Sequence, residues 1–204
     1  NDSISHIMTQ IERDPNQDGR SRRKNEAMRA VQSAALRLFS KRGFAEVTVE
    51  EIAAEAGVGP ATVYRNFGSK ERVLLWDEYD PVLFRRIGAH LQVATPLDAI
   101  RDGFIQALDE IYRQDAARIL RRARLIRSTP SVLAAAAADM ATLCQGLAEL
   151  LAPVLPNDFR RRIMAAAVVG ALNVSIDRWI DERGKTPLRK ILKKAFAELG
   201  SLAA

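Results

Sequence analysis

Thr48-Val-Glu-Glu-Ile-Ala-Ala-Glu-Ala-Gly-Val-Gly-Pro-Ala-Thr-Val-Tyr-Arg-Asn-Phe67, followed at once by Gly68-Ser69-Lys70, is the stretch that decides the fold. It spells two short helices around a glycine turn. The Thr48 hydroxyl can cap the first free amides while Glu51, three residues on, returns the bond, which is the T-x-x-E capping box. Ala53, Gly57, Val58 and Val63 stand at relative offsets of 0, +4, +5 and +10. A small residue at the first point lets the helices cross closely, and glycine at the turn accepts a positive φ. The two valines lock the pair together, with Ile52 and Ala56 completing the inner face. The second helix carries small, polar and aromatic side chains where a DNA groove would meet them.

Upstream the chain is basic. Between Arg20 and Arg42 stand eight basic residues (Arg20, Arg22, Arg23, Lys24, Arg29, Arg37, Lys41, Arg42) and one acid, Glu26. The whole chain carries a formal charge of +6, so everything outside this segment is close to neutral. A cationic end on a neutral body is the electrostatic footprint of nucleic-acid binding. The same segment forms a helix from about Ser21 to Arg42, with Val31, Ala34, Ala35, Leu38 and Phe39 on one stripe. Gly43 ends it and Phe44 packs back.

Downstream the pattern is helix after helix, with no β signal. Ser69 caps a helix through Tyr79, which Asp80-Pro81 ends or kinks. Pro96 opens another to about Arg113, Asp115 caps a third to Ser128, and Thr129-Pro130 starts one to about Ala152. Pro153 and Pro156 break the chain, a long helix runs from Asp158 to Arg183, and Gly184 stops it. Thr186-Pro187 restarts a last helix to Leu199, with proline where its missing amide costs nothing. The expectation is an all-α protein with three segments. Residues 1–19 form a flexible end with a turn-rich Asp14-Pro-Asn-Gln-Asp-Gly19 linker, in which Ile4, Ile7, Met8 and Ile11 fall at helical spacing. Residues 20–68 form a three-helix helix-turn-helix head, and 69–204 a helical-bundle body.

Several chemistries are not expected. Cys144 is the single cysteine, so no internal disulfide or thiolate metal cluster forms, and its flanks suit a buried structural thiol. His6 and His90 lack metal-ligand spacing. The longest uninterrupted apolar run, Ile163–Leu172, falls short of the ~20 residues that cross a bilayer. No signal-peptide pattern opens the chain, so a cytoplasmic protein is expected. No carboxylate–histidine pairs repeat at bundle spacing and no nucleotide loop or partnered nucleophile occurs, so neither an enzyme nor a cofactor is expected.

With these residues in view, the chain resembles the TetR (tetracycline-repressor-like) family of transcriptional regulators. The family pattern is similar to T-x-x-x-I-A-x-x-A-G-V-S-x-G-T-L-Y-x-H-F-x-S-K-E. Thr48, Ile52, Ala53, Ala56, Gly57, Val58, Thr62, Tyr64, Phe67, Ser69, Lys70 and Glu71 stand at matching places. The close resemblance covers about Val31 to Leu75. Gly59 replaces the usual serine and weakens the side-chain cap of the second helix. Ala61 replaces the usual glycine, favouring helix by ~1 kcal/mol. Asn66 replaces the usual histidine and keeps a donor for phosphate. These departures leave the family's operator preferences untransferable.

The resemblance implies that the second motif helix enters the major groove of double-stranded DNA with Pro60, Ala61 and Thr62 leading. Pro60 and Ala61 offer apolar surface suited to a thymine methyl, and Thr62 can hydrogen-bond a base edge or phosphate. Arg65 can fork onto guanine O6 and N7 or clamp a phosphate. Tyr64, Asn66, Lys70 and Thr48 look like backbone clamps, although Tyr64 could instead pack beside Phe67. Arg22, Arg23 and Lys24, taken as preceding the first helix, could follow the adjacent minor groove.

A head this small covers one half-site, so a homodimer on a palindromic operator is expected. Ala165, Ala166, Val169, Leu172, Ile176 and Ile180 line one candidate dimer helix, and small residues around Gly170 permit close approach. Ile191, Leu192, Ala195, Phe196 and Leu199 line the other. An intramolecular core fits the same stripes. For a small-molecule effector, of a kind the sequence does not name, the candidate pocket residues are Trp76, Tyr79, Phe84, Phe104, Leu108 and Tyr112, with Arg121, Met140, Leu143, Leu147 and Asn173. The aromatic members suit core packing equally, and the run of arginines from Arg118 to Arg127 suits a solvated helix face. The expected function is a sequence-specific regulator, in the form of a repressor released by an effector. The alternative is an architectural DNA binder that senses nothing.

Overall fold

The computed structural model of the protein describes residues 19–77 and 80–202, without the side chains of 20, 21, 80, 81, 111–114 and 202. The expectations for 1–18, Tyr79 and the Tyr112 side chain lie outside the described residues. Within them the chain is all helix. The order is α1 (Gly19–Arg42), α2 (Val49–Ala56), α3 (Pro60–Phe67), α4 (Lys70–Leu75), α5 (Asp80–His90), α6 (Pro96–Ser128), α7 (Pro130–Leu150), α8 (Asp158–Asp181) and α9 (Leu188–Leu202). Two compact units divide the chain. One holds the described part of Arg13–Glu78 with Arg121–Ala138, and the other the described parts of Tyr79–Leu120 and Asp139–Ala204.

In the head unit, the predicted stripe of α1 becomes core: Val31, Ala34, Ala35 and Phe39 are buried, and Leu38 is partly so. Val49, Ile52 and Ala53 of α2, Val63 and Phe67 of α3, and Val73 and Leu74 of α4 close around it. The same core takes Val132 from α7, with Leu125 and Ile126 of α6 packed against it. Gln32 is a polar member of this interior at 2% exposure. Its Nε2 donates to the carbonyls of Val73 (3.1 Å) and Trp76 (2.7 Å), which are released where α4 ends. Arg122 of α6 donates to the same Trp76 carbonyl at 2.6 Å and pairs with Asp77.

Several boundaries differ from the sequence-based expectation, and the last helix, expected to end at Leu199, runs on through Gly200 to Leu202. α4 stops at Leu75, and Trp76 turns to φ −53° and ψ 125°. Asp80-Pro81 opens α5 rather than closing a helix, because proline fits the first turn, where no amide partner is needed. α6 runs unbroken through Asp115, which does not start a new helix. Asp115 instead accepts from Arg118 at 3.2 Å, an i,i+3 pair within the helix, and no glycine or proline follows Gly103 before Ser128.

In the body unit, Gly103 lets α5 and α6 touch. A Cβ there would lie 2.6 Å from Ile87 Cγ1 and 2.7 Å from its backbone nitrogen. Phe84 packs against Gly146 of α7, and the rings of Phe104 and Phe196 stand 6.2 Å apart. Asn157 caps α8 by accepting from the Arg160 amide, and Gly184, at φ 76°, follows its end. By length and composition α7 and α8 are each long and apolar enough to cross a membrane, beyond what the uninterrupted run suggested. Cys144 is half-buried rather than enclosed.

The α8–α9 stripes require a correction. Ala165, Val169 and Ile180 are buried within the single chain, as are Ile191, Leu192 and Phe196. Leu172, Ile176, Ala195 and Leu199 are half-buried, and Ala166 alone of the predicted set is exposed. α8 and α9 pack against each other within the chain, and Phe196 also meets Phe104 of α6, so most of these residues are covered without a second copy. The uncovered face of α8 lies elsewhere. Phe159, Ile163 and Val174 are 74%, 52% and 68% exposed, with Ala166 and Gly170 between them on one helical face.

Gly103→Ala should destabilise the protein by about 1–2 kcal/mol in denaturant unfolding, since overpacking at Ile87 outweighs the ~1 kcal/mol helix-propensity gain. A more stable variant would contradict the close contact.

Candidate nucleic-acid interface

The site is built from helix ends. At Thr48 the predicted capping box is complete. The Glu51 amide donates to Thr48 Oγ1 at 3.2 Å, and the Thr48 amide donates to Glu51 Oε2 at 2.9 Å. Arg42 adds a bond to Glu51 Oε1 at 2.7 Å and reaches the Glu46 carbonyl at 2.6 Å. The Thr48 backbone first, and the Arg42 guanidinium second, hold the Glu51 carboxyl below its ordinary range. Arg37 pairs with Glu55 at 3.1 Å. Two members of the basic segment therefore fasten α1 to α2.

α2 ends in a glycine cap. Gly57 takes φ 69°, its amide bonds the Ala54 carbonyl at 3.1 Å, and the Val58 amide bonds that of Ala53 at 3.0 Å. Only glycine holds this left-handed turn without a steric penalty. Two residues later Gly59 precedes α3 without a side-chain cap, as its replacement of serine implied, and Pro60 begins the helix. With eight residues and no cap, α3 is anchored by the burial of Val63 and Phe67. The Phe67 ring meets that of Trp76 edge-on at 6.1 Å.

The face of α3 opposite this anchor carries the predicted contacts. Pro60, Ala61 and Arg65 are exposed, Thr62 and Asn66 half-exposed, and Tyr64 is 48% exposed. Tyr64 therefore does not pack beside Phe67, which points the other way. Its hydroxyl donates to Glu50 Oε1 at 3.2 Å, and this bond holds the phenol above its ordinary pKa. Glu50 was not picked out from the sequence, where it reads as one more acid in the first turn of a helix. Asn66 donates to the Thr62 carbonyl one turn back at 2.8 Å, committing part of its amide to the helix. Arg22, Arg23 and Lys24 are exposed, but they belong to the first turns of α1 and do not form an arm preceding it.

Lys70 departs most from expectation. Its ammonium donates to the carbonyls of Phe44 (2.9 Å), Ala45 (3.3 Å) and Val47 (3.0 Å), and it lies 4.5 Å from the Phe44 ring centroid. An ammonium has three donors, and all are used. It is a clasp on the α1–α2 loop and not a freely offered phosphate clamp. The loop after Gly43 turns its carbonyls inward, and the pattern of side chains gave no sign of that.

The described pocket candidates divide between the two units. Trp76 lies in the head unit and packs on Phe67, and Arg121 is exposed in that unit. Phe84, Phe104 and Leu147 are buried in the body unit, with Leu108, Met140 and Leu143 half-buried there. Asn173 is exposed on α8.

Comparison with known proteins settles the kinship. The family described as bacterial regulatory proteins, tetR family, matches residues 32–75, and the MftR C-terminal domain matches residues 94–203. The chain belongs to the TetR family. It is 30% identical to the HTH-type transcriptional regulator TcmR of Streptomyces glaucescens, over 71% of this chain and 69% of that one. It is 23% identical to MftR of Mycobacterium tuberculosis, named as a mycofactocin biosynthesis transcriptional regulator, over 92% and 96%. Among solved structures, the TetR-family repressor FadR of Thermus thermophilus, in complex with lauroyl-CoA, superposes with a TM-score of 0.56 at 26% identity. That match covers 83% of this chain and 91% of FadR. This TetR-family protein is thus a transcription regulator with a helix-turn-helix of the DNA-binding type.

Lys70→Met should lower head stability by about 1–3 kcal/mol in the absence of DNA, the worth of charged hydrogen bonds only partly shielded from water. An unchanged denaturation midpoint would return Lys70 to the role of phosphate clamp. Glu51 has its own signature. A carboxyl whose folded pKa is lowered contributes stability above its unfolded pKa and loses it as pH falls through the folded value. Melting temperatures of Glu51→Gln and the parent should therefore differ at neutral pH and converge on acidification below pH ~4. A constant difference would contradict the capping box.

Proposed function

We propose that this TetR-family regulator is a homodimeric repressor that reads a palindromic operator with α3 and is released from it by a small-molecule effector. The observation that carries the DNA-binding part is the exposed Pro60–Ala61–Thr62–Arg65 face of α3, on a head whose basic α1 terminus is also uncovered. Pro60 and Ala61 meet thymine methyls, Arg65 reads guanine or holds phosphate, and Thr48 sets register through the proton its capping hydroxyl still has to give. Such a protein works on chromosomal DNA in the cytoplasm.

For dimerisation the supporting feature is the uncovered face of α8. Phe159, Ile163 and Val174 form an apolar stripe, and nothing lies within 4 Å of a Cβ built at Gly170. A second copy packed there by close helix contact buries a surface that water otherwise wets. The effector belongs to the body unit, where Phe104, Leu108, Met140, Leu143 and Leu147 supply apolar lining. The FadR structure holds lauroyl-CoA, which makes acyl-CoA thioesters the first compounds to test. α6 and α7 each contribute residues to both units, which makes them the candidates to carry an effector signal. A coupling of ~1–3 kcal/mol weakens operator binding ~5- to 150-fold.

Duplexes recovered from a random pool should contain an inverted repeat, and the protein should prefer it over mixed DNA by about 10³-fold or more. Little preference would favour an architectural role. Val174→Glu should convert the dimer to monomer in sedimentation and cut operator affinity at least about tenfold through lost avidity. A variant that remains dimeric would place the interface on another face.

A further inference from the structure

On the exposed side of the helix-turn-helix, Glu50 is a group that a polyanion ought to repel. Glu50 stands exposed in the first turn of α2, and its carboxylate accepts the hydroxyl proton of Tyr64 from the exposed face of α3. Its neighbour Glu51 has clear structural work, in the capping box and in the bond from Arg42. Glu50 takes part in neither. It is instead tied across the motif to the helix that presents Pro60, Ala61 and Arg65.

The chemistry of this pair is restrictive. A phenol has one proton, so while Tyr64 gives it to Glu50 it cannot give it to a phosphate. A carboxylate accepts and does not donate. Phosphate oxygens, guanine O6 and N7, and thymine O4 are all acceptors and repel it. Donors on the major-groove edge are the amino groups on cytosine N4 and adenine N6. Adenine sets its amino group beside the N7 acceptor, which a carboxylate cannot satisfy. Cytosine presents its amino group without that conflict.

We propose that Glu50 is a specificity-determining residue: oriented by the Tyr64 hydroxyl, its carboxylate accepts a hydrogen bond from a cytosine amino group at one position of each half-site. The proposal rests on the reading that α3 enters the major groove. Tyr64 is then a positioning residue for Glu50, and the negative charge penalises duplexes that place an acceptor at that point. The Glu50–Tyr64 pair thereby does by rejection what Arg65 does by attraction.

The test is selection from a randomised duplex pool with the full chain as wild type, E50Q, E50A and Y64F. Wild type should enrich cytosine at one symmetry-related pair of positions. E50A should lose that preference while keeping the others, and should bind a mixed-sequence 30-base-pair duplex about two- to fivefold more tightly per half-site. E50Q should move the preference toward adenine, because an amide satisfies both N6 and N7. Y64F should blunt the cytosine preference without abolishing it. A role confined to the helix N-terminus would weaken binding to every sequence alike and leave all positions unchanged. An enriched palindrome identical for wild type and E50A overturns the assignment of Glu50 alone. Failure of wild type to enrich any sequence overturns it together with the reading on which it rests.

Discussion

An eight-residue helix cannot hold its shape in water by itself. α3 has no side-chain cap, so its place depends on Val63 and Phe67 entering the head core. Burying each contributes about 1.5–3 kcal/mol, which offsets part of the entropy lost when the helix is ordered. Everything that fixes that core therefore fixes the exposed face of α3: the α1 stripe, the Thr48–Glu51 box, the left-handed turn at Gly57 and the Lys70 clasp. One side of α3 stays exposed because the other is occupied by the head core.

The motif was legible because its signals are local. Thr48 and Glu51 sit three apart, Gly57 follows a helix, Pro60 opens one, and each has a structural consequence within a turn of chain. What stayed hidden was decided by groups far apart in sequence. Lys70 spends its donors on carbonyls 23 to 26 residues away. Gln32 and Arg122 converge on the Trp76 carbonyl from 44 residues before it and 46 after it. Glu50 looks ordinary until Tyr64, 14 residues on, is seen to bond it. Backbone acceptors carry no residue code, so such pairings leave no pattern to find.

The body teaches a second lesson about stripes. Apolar periodicity announced that α8 and α9 bury a face, and they do, but it could not say against what. Most of the more continuous stripe is covered within the chain. The weaker one, broken by Ala166 and Gly170, is left outside. Likewise Asp80-Pro81 and Asp115 are valid boundary signals read with the wrong polarity: proline opens a helix as readily as it closes one, and an aspartate with an arginine three residues on is content in mid-helix. The head core recruits Val132 from α7 and Leu125 and Ile126 from α6, helices whose other parts belong to the second unit.

The central claim is that the exposed face of α3 lies in the major groove. Guanine N7 methylation interference on a selected duplex tests this directly, because N7 lies on the floor of that groove. The account predicts two patches of interference on one side of the duplex, about one helical turn or a multiple of it apart, with the patch attributable to Arg65 fading in Arg65→Ala. Binding indifferent to N7 methylation, though blocked by minor-groove ligands, would contradict it.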